Sequence, residues 1–197
     1  MKLVSKNFLV KDESLLNLEI VQKVLLEVDE AIKCVVWPTG SDCFIINPTR
    51  KGNGVKPIKN ECMEYLSKCG WRLEEPIDIA SRKKPGPIDA FKTIEDFSIA
   101  VEWETGNISS SHRALNKLAL GLLKKIISCG ILILPSGKFY PYLTDRVGNY
   151  PELEPYFEVW KSLPYENSLL MVYEIEFDKI SDNVPFIGKG TDGRALR

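Results

Sequence analysis

The chain has 197 residues, 44% of them hydrophobic and 27% charged, with a formal net charge of −1. That is the balance of a soluble globular protein, and the length suits one domain over residues 1–197 with a sizeable core. No run approaches the ~20 apolar residues that span a bilayer, and the apolar stretch within residues 1–12 is too short for a signal peptide. Five cysteines (Cys34, Cys43, Cys62, Cys69 and Cys129) make an odd number without a close pair. They argue against a disulfide framework and a zinc site, and for a reducing cytoplasm. The bulk charge decides nothing about nucleic acid, because a nuclease needs acids at a metal site and bases along a groove. Basic residues gather at Arg50-Lys51, Lys56 and Lys59, Arg82-Lys83-Lys84, and Lys189, Arg194 and Arg197. Acids gather in 95–104, 152–158 and 174–178.

Residues 13–32 carry a broad apolar helical face (Leu16, Ile20, Val24, Val28, Ile32), which predicts a helix. Phe44-Ile45-Ile46 predicts a short buried strand ended by Asn47-Pro48. Asn53-Gly54 predicts a turn, and residues 57–69 a helix opened by Pro57 and stopped by Gly70. Gly86-Pro87 fits a bend into a strand carrying Asp89; a turn at 93–96 follows, and residues 97–104 alternate as the next strand. Residues 109–127 predict a helix that Ser109, Ser110 or Ser111 caps. Ile131-Leu132-Ile133-Leu134 reads as a buried strand stopped by Pro135, Asn149 caps a helix with Pro151 in its first turn, and residues 169–177 alternate as a late strand. The order strand, strand, helix, strand predicts an α/β fold with a mixed central β-sheet flanked by helices on both faces.

Alternation along a strand puts Glu102 and Glu104 on one face, ~6.5–7 Å apart along the chain, with Ile99, Val101 and Trp103 facing the core. Antiparallel pairing across the 93–96 turn would bring Asp89 beside Glu102. Such an oxygen-only set suits Mg²⁺, with Mn²⁺ as a substitute, and would activate a water against a phosphodiester. Glu104, at the edge, is placed to orient or deprotonate that water. A lone Glu-x-Glu is more often a solvated strand face. Asp89 and the turn that follows favour a site, and Ser98 and Ala100 on the same face are small enough to admit a polymer.

Thr105-Gly106-Asn107 and the serines lead into a helix whose N-terminal amides face anions. Arg113, Lys117 and Lys124 lie within about 40° of one another at helical spacing, opposite Leu115, Leu118, Leu122 and Ile126. This predicts a basic stripe, which taken alone is as often an ordinary solvated face. Asp145-Arg146 suits a G·C pair in the major groove, Arg on guanine and Asp on cytosine N4, although an adjacent Asp-Arg is commonly a surface ion pair. His112 is the only histidine, so packing or a phosphate contact suits it better than general-base work. No phosphate loop or dinucleotide fingerprint is present.

Gly86-Pro87-Ile88-Asp89, the run from Glu102 through Ser110, His112-Arg113 and Asn116-Lys117-Leu118 resemble the BamHI-type type II restriction endonucleases. So do Tyr142-Leu143-Thr144-Asp145-Arg146-Val147, the run from Glu152 through Glu158, and Asn183-Val184-Pro185. The similarity runs in order from about Val36-Trp37-Pro38 to Asp192-Gly193, and the shortened C-terminus is that of a compact member. The resemblance implies a restriction-endonuclease-like, PD-(D/E)xK core with a C-terminal arm at about 181–197. It implies a homodimer that cuts the palindrome GGATCC after the first G and leaves 5′ overhangs. By position, Asp89, Glu102 and Glu104 match the metal and catalytic carboxylates, with Glu104 where many related nucleases carry Lys, and Glu74 matches a further acid of the site. Asp89, Glu102 and Glu74 would then hold the metal. Asn107, Ser109, Arg113, Asp145 and Arg146 match the major-groove readers, and Gly190-Thr191-Asp192-Gly193 a minor-groove arm. Only Arg194-Ala195-Leu196-Arg197 remain of the family's C-terminal helix. In the helices implied for the dimer interface Glu158 is kept, while Leu123, Lys124 and Lys161 alter the charged positions.

The expectation is a Mg²⁺-dependent endonuclease specific for a double-stranded sequence, with Mn²⁺ as a substitute and Ca²⁺ supporting binding without cleavage. No further cofactor is expected. The partners are duplex DNA, a second copy of the chain and, functionally rather than physically, a cognate DNA methyltransferase. Rival readings are a structure-selective repair or recombination nuclease and a non-catalytic DNA-binding protein.

Overall fold

The computed structural model describes residues 1–55, 58–78, 86–144 and 146–189. Strand β1 (Lys2–Lys11) leads through a single turn, α1 (Glu13–Leu16), into helix α2 (Glu19–Lys33). Strand β2 (Ile45–Ile46), helix α3 (Asn60–Lys68) and strand β3 (Arg72–Glu75) precede a hairpin of β4 (Ile88–Ile94) and β5 (Phe97–Trp103). Helix α4 (Ile108–Leu123), strand β6 (Cys129–Pro135), the short helices α5 (Tyr150–Leu153) and α6 (Phe157–Lys161), and strands β7 (Leu169–Glu176) and β8 (Lys179–Ile180) complete the order.

Six strands form a mixed sheet in the order β1-β7-β6-β5-β4-β3, parallel through β5, β6 and β7 and antiparallel at both sides. Helices cover both faces. Val21, Val24 and Val28 of α2 and Leu66 of α3 share a core with Ile99, Val101, Ile131 and Met171. On the other face Leu115, Leu118 and Leu122 of α4 and Trp160 of α6 pack with Ala100, Leu132, Leu134 and Leu170. Each such fully buried aliphatic side chain contributes roughly 1.5–3 kcal/mol over its exposed state. A strand covered on both faces has no polar side to show, which is why β6 is apolar without alternation.

Several local expectations are corrected. Strand β1 carries no clear strand pattern in the sequence, because bulges between Leu3 and Ser5 and between Phe8 and Val10 break its two-residue alternation. The helix expected over 13–32 is interrupted: Asp12 caps the first turn through Leu15 N–H at 3.0 Å, and the chain is extended at Leu18 before restarting. Asn53-Gly54 is not a turn. Asn53 bridges to Leu143, and Gly54 N–H donates to Ile187 O at 2.7 Å. A Cβ on Gly54 would lie 2.0 Å from Gly188 O, so only glycine fits this crossing. The cap of α4 is Asn107, whose side chain accepts from Ser110 N–H at 3.1 Å, rather than a serine. Pro57, the Arg82-Lys83-Lys84 cluster, Lys56, Asp145 and Gly190-Thr191-Asp192-Gly193 with the residues beyond lie outside the described residues.

Candidate active site and DNA-reading surface

The β4–β5 hairpin turns through Glu95, at φ +53°, and its register runs from Ile94 opposite Phe97 to Ala90 opposite Val101. One step further, Asp89 falls opposite Glu102. On the other flank Leu73 pairs with Ala90 and Glu75 with Ile88, so Glu74 falls opposite Asp89. Glu74, Asp89 and Glu102 therefore stand in one row across three adjacent strands. Glu74 is exposed, with its backbone in the left-handed region at φ +50°.

The ladder ends here, and Asp89 replaces it: its Oδ2 accepts the Trp103 N–H at 2.8 Å. Its Oδ1 accepts from the Lys59 ammonium at 2.8 Å. Glu102 is 3% exposed and forms an ion pair with Lys117, reaching in from α4. Burial, against the pull of Lys117, pushes the Glu102 carboxyl up to about 8, and Asp89 and Glu104 push in the same direction. Glu104 is likewise raised, first by burial and then by Asp89, while Gly106 N–H, Arg113 and Lys59 oppose the shift. For Lys59, burial would lower the ammonium, yet Asp89, Glu74 and Glu102 together hold it above its ordinary value.

This pattern fits a divalent cation. The donors are all carboxylate oxygens, the choice of a hard ion; Asp89 disfavours ionisation of both Glu102 and Glu104, and Glu104 that of Glu102, a repulsion that a central positive charge relieves. Among the described residues no group of three His, Cys, Asp or Glu side chains is gathered as a closed ligand set. Asp89 and Glu102 are instead each paired with a lysine.

The structure excludes the solvated-strand reading of Glu102 and also corrects the expected open groove. Ala100 is fully buried under α4, so the middle of this strand face is closed, with Ser98 and Glu104 half-buried on either side. The basic stripe is corrected too: Lys117 is buried, leaving Arg113 and Lys124 exposed on α4. His112 packs edge-on against Tyr156, with ring centroids 4.8 Å apart, and tilted against Trp160 at 5.6 Å.

The segments expected to read bases meet beside the carboxylates. Asn107 and Ser109 are exposed at the start of α4, and Arg113 follows one turn on. Gly148 N–H donates to Gly106 O at 2.7 Å, tying the segment 146–148 to this helix end. A Cβ on Gly148 would lie 2.5 Å from Ser111 Oγ, so the approach requires glycine. Within that loop Arg146 is exposed at φ +67°. The loop's other root is fixed by Asn53, whose Nδ2 donates to Tyr142 O at 2.9 Å and whose Oδ1 accepts Ile187 N–H at 3.3 Å.

Lys59 was visible in the sequence only as part of a basic cluster and Lys117 only as part of the stripe. Asn53, beside Gly54, has only the local pattern of a turn residue. Their roles depend on contacts across 30, 15 and 89 positions, which no local pattern carries.

The family described as Restriction endonuclease BamHI matches residues 1–194. The type II restriction enzyme OkrAI of Oceanobacter kriegii is 56% identical over 174 residues, covering 88% of this chain and 90% of that protein. The type II restriction enzyme BamHI of Bacillus amyloliquefaciens is 40% identical over 204 residues, covering 98% and 93%. Among solved structures, the restriction endonuclease BglII complexed with a DNA 16-mer superposes with a TM-score of 0.61 at 11% identity, over 90% of this chain and 79% of that one. Fold and relatives together define a type II restriction endonuclease, a site-specific deoxyribonuclease. The chain belongs to the BamHI family.

Proposed function

We propose that the enzyme hydrolyses double-stranded DNA at GGATCC, after the first G, leaving 5′ overhangs, and that it depends on Mg²⁺. The observation that carries this is the row of Glu74, Asp89 and Glu102, with Glu104 and Arg113 beside it at the root of the candidate reading helix. Asp89 and Glu102 hold the cation, with Glu74 at the end of the row. When bound, such an ion supplies charge stabilisation at the phosphate and lowers the pKa of a water. Glu104 accepts the proton of the attacking water or orients it. Burial and Asp89 raise its carboxyl above the ordinary carboxylate range, the direction that favours a proton acceptor.

Asn107, Ser109, Arg113, Asp145 and Arg146 read the major groove, and Gly190, Thr191, Asp192 and Gly193 of the C-terminal arm reach the minor groove. Reading a palindrome calls for two-fold symmetry, and we assign a homodimer on that ground. Leu120, Leu123, Tyr156 and Val159 on α4 and the α5–α6 segment are exposed, an apolar surface that a second copy would cover. Mn²⁺ substitutes for Mg²⁺, whereas Ca²⁺ supports binding without cleavage. The enzyme acts in the cytoplasm, as one domain with its arm, alongside a methyltransferase that modifies the same sequence. Among the described residues no helix is long and apolar enough to cross a membrane. The defining test is digestion of a plasmid of known sequence: cuts at GGATCC alone support the proposal, and cutting at junctions or at random contradicts it.

A further inference from the structure

Lys117 occupies an unusual place for a lysine. Its side chain is 8% exposed, in the middle of the apolar underside of α4. There it makes an ion pair with Glu102 Oε1 and donates to Pro87 O at 2.7 Å. One ammonium thus joins three elements: the helix carrying Asn107, Ser109 and Arg113, the strand end at Glu102, and the segment two residues before Asp89. Burying a lysine without need is costly, and a surface ion pair would have served packing equally well.

We propose that Lys117 is a positioning residue for catalysis. It pins Glu102 and the approach to Asp89 from the candidate reading helix, and so ties that helix to the metal-holding carboxylates. This rests on the assignment of Asp89 and Glu102 as those carboxylates. The pair acts as one unit: Lys117 fixes Oε1 of Glu102 and the backbone of Pro87, and so sets the spacing between the Glu102 and Asp89 side chains. A methionine fills the same volume without the charge or the donor. An arginine keeps the charge on a bulkier, planar head.

The test compares wild type, Lys117→Met, Lys117→Arg, Glu102→Gln and the double variant Lys117→Met/Glu102→Gln. It measures GGATCC duplex binding, single-turnover cleavage against Mg²⁺ concentration, and Mn²⁺ binding to the protein–DNA complex by electron paramagnetic resonance. Lys117→Met is expected to bind the duplex nearly as wild type does. Its Mn²⁺ affinity and cleavage rate each fall by about 10–100-fold, the range for groups that orient metal ligands. Lys117→Arg recovers part of both, and in the Glu102→Gln background the Lys117 substitution changes neither further. Wild-type Mn²⁺ affinity in Lys117→Met overturns the proposal. So does a loss of duplex binding, thermal stability and cleavage in equal proportion, which marks a packing role. If Lys117→Met does not fold, Lys117→Gln takes its place under the same criteria. Undiminished cleavage by Glu102→Gln overturns the assignment of the metal-holding carboxylates, whatever the Lys117 variants do.

Discussion

The Asp89 carboxylate accepts the backbone N–H of Trp103 at 2.8 Å, and Trp103 lies between Glu102 and Glu104. One side chain thereby fixes the path of the strand that presents the other two carboxylates. Asp89→Ala is expected to abolish cleavage and to lower stability by about 1–3 kcal/mol, because the Trp103 N–H loses its acceptor in a largely buried place. Asp89→Asn retains an acceptor and loses less stability, while cleavage still disappears. Urea unfolding and a cleavage assay on the same preparations separate the two effects. Equal stability of Asp89→Ala and wild type would mean that the strand does not need this bond.

In the proposed mechanism Glu104 is the residue on which the chemistry turns. Glu104→Gln and Glu104→Lys are expected to lower the cleavage rate by at least about 100-fold, while GGATCC binding in Ca²⁺ stays near wild type. Gel-shift titration and single-turnover cleavage measure these independently. Wild-type cleavage by Glu104→Gln would remove the residue from the mechanism.

Arg146 is expected to contribute to base discrimination. Arg146→Ala should cost about 1–3 kcal/mol at one base pair of the site and little on random DNA. Competition binding with singly substituted duplexes measures the difference, and an equal loss on all sequences would make Arg146 a phosphate contact.

The Gly148–Gly106 hydrogen bond predicts a coupling between loop and helix. Gly148→Ala places a Cβ 2.5 Å from Ser111 Oγ and should weaken specific binding by pushing the Arg146 loop from α4. Adding Ser111→Ala removes that oxygen and should restore part of the affinity. Rescue to no extent would mean that the contact with Ile108, 3.1 Å from the same Cβ, controls the approach.

Glu102 gives a dependence of stability on pH in chelated protein. Its folded carboxyl sits at about 8 against an ordinary 4.5, so the folded chain retains a proton that the unfolded chain releases between these values. The contribution of this group to stability therefore falls as pH rises from about 4.5 to about 8, and is level above that. Glu102→Gln lacks the titration, so its stability relative to wild type should increase between pH ~6 and ~8.5 in EDTA. Parallel urea midpoints across that range would show a Glu102 that is ionised throughout.

The sheet strands with plain signals, β5, β6 and β7, were legible because alternation or unbroken apolarity follows directly from which faces are covered. β1 was not, since its bulges shift the register, and the 13–32 helix hid a break that Asp12 capping and the extended Leu18 produce. Asp89 beside Glu102 was legible because a short turn leaves an antiparallel hairpin few registers. The place of Lys117 is not legible for one physical reason: spacing gives the angle of a side chain around a helix and does not tell whether a buried carboxylate waits beneath it. Lys117 and Glu102 are each comprehensible only as the other's partner.

The most direct measurement is a digest of a plasmid carrying GGATCC at known positions, with Mg²⁺ and with EDTA, followed by sequencing of the cut ends. The expected result is discrete fragments only with Mg²⁺, every end lying after the first G and carrying a 5′ overhang. Fragments in EDTA, ends at other sequences, or an uncut plasmid under conditions where the protein binds GGATCC would contradict the assignment.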